Sequence, residues 1–216
     1  MIRPSRMRRP LPVPAALMVA LALLLGRPVA ADVGAGGLAQ QALVECEAGR
    51  QAVDRAERAR HFSRGEALAT RAIGLDDRSA DAHFALFCNR GETMRLDGES
   101  IRDVLALRGL LHELDRTLEL QPEHPGALAA KGTFLVRLPR LLGGDVARGE
   151  VMLRHALDVD PTAVAARLAL ARLCDYRGQR SEAIEYARRA LQFAKELGRA
   201  DKVAEAQAML ASLGAH

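Results

Sequence analysis

One pattern recurs four times in this chain and limits its fold more than any other feature. Residues 66–77 (EALATRAIGLDD), 114–122 (LDRTLELQP), 153–161 (LRHALDVDP) and 182–191 (EAIEYARRAL) each place small, apolar and acidic or polar residues at the spacing of an amphipathic helix. The first three run out at Asp77, Pro122 and Pro161. Proline cannot continue a helix and suits the first turn of the next. A segment rich in small residues follows each closer, at 80–94, 126–138 and 163–176. The chain therefore reads as consecutive helical hairpins.

Composition agrees. Ala, Leu, Arg and Glu, all good helix formers, dominate the 216 residues, whereas aromatics are 3%, with no Trp, two Tyr and five Phe. Strand-rich folds lean on aromatic and β-branched residues, so this poverty counts against an all-β protein. With 49% hydrophobic and 27% charged residues, the chain is neither disordered nor collagenous nor a polytopic membrane protein.

The last unit carries a family likeness. With Val164 as its first position, Leu170 and Ala171 fall on an apolar–small pair, Gly178 on the turn between helices, and Ala183 and Ala190 where the paired helices touch, after Pro161 closes the unit before. In this it resembles the tetratricopeptide repeat, with Arg167 in place of the usual aromatic and Cys174 in place of the usual Tyr. Alanine at a crossing lets two backbones approach. The closers Asp77, Pro122 and Pro161 lie 45 and 39 residues apart. The family period is about 34, so roughly 11 and 5 extra residues belong in inter-helix turns. The places for them are near 97–108 and 138–145. A first outer helix is expected at 38–60, with Phe62 under the turn, and a capping helix at 200–213. The resemblance implies an all-α fold: a tetratricopeptide-like α-solenoid of three to four helical hairpins plus a C-terminal capping helix, about nine helices over residues 38–213. Residues 32–37 read as a flexible lead-in.

The N-terminus reads as an address. Arg3, Arg6, Arg8 and Arg9 precede an uncharged run from Pro10 to Gly26, and Val29-Ala30-Ala31 offers small residues before Asp32. This is the pattern of a secretory signal peptide over residues 1–31, cut after Ala31, and implies a periplasmic or secreted protein with no membrane span after cleavage. Five of the 31 basic residues lie in that segment and none of the 27 acids, so the remainder carries a net charge of −1. The basic balance belongs to the leader and supports no inference to nucleic acid. Of Cys46, Cys88 and Cys174 at most one pair can bridge; each sits on an apolar helix face, as a buried thiol would.

No nucleophile elbow, phosphate loop, dinucleotide fingerprint or paired-His metal spacing occurs. The six histidines are scattered and read as lone residues on polar helix faces. No cofactor, metal or catalytic set is expected. Gly143-Gly144-Asp145 reads as a tight turn packed by Leu141 and Leu142, with Asp145 capping a helix from Val146. Residues 138–145 also resemble a turn of periplasmic helical-repeat proteins that accompany TRAP-type solute transporters. The tetratricopeptide resemblance implies a concave face lined by the first helix of each pair. There it places Asp81, Phe84 and Cys88, then Thr133, Val136 and Arg137, then Leu168, Arg172, Asp175 and Tyr176. The function so implied is an exported, non-enzymatic scaffold of the cell envelope that holds a protein or peptide partner in that groove. The alternative is an accessory ligand-binding component of a TRAP-type transporter, with a small molecule between hairpins.

Overall fold

The computed structural model describes residues 34–98 and 104–215. The signal-peptide segment, with Asp32 and Val33, lies outside the described residues. Among the described residues every regular element is helical. In chain order they are α1 (Ala35–Gln51), α2 (Arg55–Leu75), α3 (Ala80–Asp97), α4 (Val104–Leu120), α5 (Pro125–Arg137), α6 (Val146–Val159), α7 (Val164–Tyr176), α8 (Arg180–Glu196) and α9 (Ala200–Ser212), with a short 3-10 turn at Arg140–Leu142. Successive helices pair as four hairpins, and α9 closes the stack, setting Met209, Leu210 and Leu213 against Ala171, Cys174 and Ala187.

The three closers prove equivalent. Residues 76–79, 121–124 and 160–163 each form a turn with a hydrogen bond from the fourth backbone N–H to the first carbonyl, at 3.2, 3.0 and 3.0 Å. Asp77, Pro122 and Pro161 all occupy the second position, where the fixed φ of proline is at home. The prolines thus sit in the turn itself, not in the first helical turn that follows; Pro125 takes that place in α5. The longer connection between α5 and α6 falls where the spacing put it, at residues 138–145; of the other expected insertion, near 97–108, residues 104–108 belong to α4 and 99–103 lie outside the described residues.

The N-terminal part departs from the sequence reading in four ways. Helix α1 begins at Ala35, inside the expected lead-in. The first hairpin turns at residues 52–54, not beyond Arg60: the Asp54 side chain accepts from the Glu57 backbone N–H and starts α2 there. Phe62 is fully buried, but within α2 against Gly49 of α1, not beneath a turn. Finally, Cys46 and Cys88 are joined in a disulfide between α1 and α3, with a Cα–Cα distance of 6.3 Å. Only Cys174 remains a buried thiol.

Small residues set the helix spacing. At the α5–α6 crossing, a Cβ on Gly132 would stand 2.9 Å from the Gly149 carbonyl oxygen, and one on Gly149 would stand 2.8 Å from that of Gly132. In the last hairpin Ala183, Ala187, Ala190 and Ala194 have no exposed surface. Arg167 is buried too, its guanidinium lying 4.7 Å from the centre of the Phe193 ring.

This packing sets two expectations for stability. Gly149→Ala should lose about 1–3 kcal/mol through overpacking, whereas Gly109→Ala, on the open face of α4, should gain several tenths to 1 kcal/mol; urea unfolding of both variants tests the opposite signs. Replacing both Cys46 and Cys88 by Ser releases a closed loop with a sequence separation of 42 and should cost about 4 kcal/mol. The same loss should appear in the parent protein on reduction, and reductant should leave the double variant's unfolding curve in place.

Candidate functional site

The first helices of the hairpins, α1, α3, α5 and α7, together with α9, line a concave cavity of about 570 Å³. Its apolar wall stands between α3 and α5. These helices meet through rings: Phe84 lies 5.9 Å from Phe87, Phe87 lies 6.2 Å from Phe134 edge to face, and Phe84 lies 4.4 Å from His124. Gly126 leaves the room that the Phe84 ring occupies. Met94, Leu107 and Leu110 extend the wall.

Cations surround the apolar surface. Arg50, Arg95, Arg137, Arg172, Arg199 and Lys202 line the cavity, with Asp160 and Glu205 as the acids among the lining residues. The buried Glu92 carboxylate accepts from Arg50 at 2.6 Å and lies 3.5 Å from Arg95. Glu205 lies 2.5 Å from Arg172 and 2.6 Å from Lys202. These cations hold its carboxyl below the usual range even though burial acts the other way and is the largest single influence. Arg199, which immediately precedes α9, reaches Glu47 of α1 at 2.6 Å, and α9 itself touches α1, so the last helix bounds the groove.

Of the residues the resemblance pointed to, Phe84, Thr133, Arg137 and Arg172 line the cavity. Asp81 lies beside it, 3.5 Å from His124. Asp175 and Tyr176, at the end of α7, are exposed away from it, and Tyr176 is 87% exposed. Cys88 is taken up by the disulfide, Leu168 is core, and Val136 packs on Gly149. Sequence reasoning missed Phe87, Phe134, Arg50, Arg95 and Lys202. Phe84 and Phe87, one helical turn apart in a chain with five Phe, were a signal for the wall.

The histidines are not all lone residues on polar faces. His83 is buried, with Nδ1 2.7 Å from Glu113 and Nε2 3.1 Å from the Asp77 carbonyl. His61 Nδ1 lies 2.7 Å from Glu45. Buried His124 caps α5, its Nδ1 accepting from the Ala127 backbone N–H at 3.1 Å. Desolvation lowers its pKa from the usual 6.5, against the opposing pull of Asp81. The Gly143-Gly144-Asp145 turn is structural: Gly143 adopts φ +87°, the Gly144 position is filled by the Leu138 carbonyl, and the Asp145 side chain accepts from the Arg148 N–H at 3.0 Å. Leu141 does not pack there; it is 99% exposed. Among the described residues no cluster of His, Cys, Asp or Glu could hold a metal ion, and no helix is long and apolar enough to cross a membrane.

Among solved structures the chain is similar to a thermophilic TPR protein from Thermus thermophilus, at 21% identity and a TM-score of 0.52, over 90% of this chain and 96% of that one. The chain has a tetratricopeptide-like fold. No family model and no curated protein matches it. Solenoids of stacked helical repeats present extended concave surfaces.

His124 should give the folding stability a pH dependence. Its folded pKa lies below the unfolded value of 6.5, so the unfolded chain binds more protons between the two. The contribution is complete above pH 6.5 and is lost as pH falls toward the folded pKa. His124→Asn keeps a capping oxygen but cannot titrate. Urea unfolding at pH 7 and pH 5 should therefore show a larger loss of stability in the parent protein than in the variant.

Proposed function

We propose that this chain is an exported, non-enzymatic scaffold of the cell envelope that engages a protein partner along its concave groove. The observation that carries the reading is the groove itself, a mixed apolar and cationic surface contributed by the first helices of successive hairpins. Such a surface suits partner recognition, with rings as anchors and arginines for orientation. The Cys46–Cys88 disulfide supports export, because structural disulfides persist in oxidising compartments and are rare in a reducing cytosol. The arginine-rich, then apolar, N-terminus supports the same address.

A photo-crosslinking residue at Arg137, on the groove, and another at Val53, on the first hairpin's turn, test this in cells. Position 137 should give a protein adduct of discrete mass that fractionates with the envelope, and position 53 should not. Equal labelling at both positions, or recovery of the protein from the cytosol with its Cys46 and Cys88 thiols open to alkylation, would sink the proposal.

A further inference from the structure

The enclosed part of the groove has a chemistry of its own. We propose that it binds a small amphiphilic carboxylate, an acyl-chain or aromatic body carrying one anionic head. The inference goes beyond the scaffold reading and does not rest on it.

Three observations carry it. First, three of the chain's five Phe gather on one wall, and Phe84 and Phe134 stay only half-buried there. Aromatic surface left open inside a concavity is surface that an apolar ligand can dry. Second, the cations outnumber the carboxylates available to them. Glu92 serves both Arg50 and Arg95, and Glu205 serves both Arg172 and Lys202. Arg199 has two acids, Glu47 and Asp201, and shares Glu47 with Arg50, which lies 3.9 Å from that carboxylate. Arg137 makes no ion pair among the described residues. An anion beside it meets a free guanidinium whose planar donors match a carboxylate. Third, contact between α9 and α1 bounds the groove. A cavity of about 570 Å³ matches sites for single small molecules, which span roughly 300–1,000 Å³. An extended peptide would have to enter through the ring, whereas one chain with one head fits within it. A cationic head on the same chain would face like charge.

Isothermal titration with dodecanoate and with dodecyltrimethylammonium, each below its micelle concentration, tests the proposal on the full protein. Dodecanoate should bind at one per chain, and the cationic amphiphile at least about tenfold more weakly. Arg137→Glu should weaken dodecanoate by about tenfold or more, and Arg137→Lys by much less, with thermal unfolding of both variants unchanged. Equal affinity for the two amphiphiles overturns the proposal. So does an unaltered response in Arg137→Glu, or uptake of several molecules per chain with loss of helicity, the mark of detergent action. Co-sedimentation with phosphatidylglycerol vesicles without uptake of free dodecanoate would assign the cationic surface to a membrane instead. Dodecanoate binding without any crosslinked partner would remove the scaffold and leave the ligand site; the converse result would do the reverse.

Discussion

Backbone contact between helices at small side chains underlies every other feature of this structure. Gly132 and Gly149 bring α5 and α6 together so closely that neither position has space for a methyl group. Four fully buried alanines have the same effect along α8. Where axes are this close, bulky residues are excluded from the seam and driven to its flanks. The α3–α5 junction is the counter-example. There the helices meet through Phe84, Phe87 and Phe134, and the aromatic wall of the groove is the result.

The groove is held by contacts distant in sequence. The disulfide from Cys46 to Cys88 and the pair from Arg50 to Glu92 tie α1 to α3. That places Glu47 where Arg199 can reach it. An ion pair of this half-exposed kind contributes little to stability, at most about 1 kcal/mol. Its consequence is geometric: the two ends of the repeat stack meet, and the concave face becomes a bounded cavity. Among the described residues, charges pair in twos and threes across this cavity and leave Arg137 without an ion pair.

Much of the fold was legible because its signals are local. The final unit, with Gly178 at φ +74° in its turn and Ala183 and Ala190 in its seam, stands as its residues implied. The extra residues at 138–145 also fall in the turn that the spacing left open for them. The first hairpin was misplaced because no Pro or Gly marks residues 52–54, and the apolar period runs through them without a break. A signal was nonetheless present: Asp54 followed three residues later by Glu57 has the form of a helix start. For the site, the tetratricopeptide resemblance brought out Phe84, Arg137 and Arg172. It could not bring out Arg50 or Lys202, which join the cavity from the first and last helices.

Residue order alone dictates most helix ends, which faces are small enough to touch, and hence that hairpins stack. These outcomes depend on residues within a few turns of one another, where propensity, capping and steric size act directly. Long-range packing is what settles which cysteines meet, which acids hold His61, His83 and His124, and that α9 returns to α1. Each of those pairs, except His61 with Glu45 and His83 with Asp77, joins residues more than 25 positions apart. Their meeting depends on the accumulated angles between many packed helices, and no local pattern encodes such a sum.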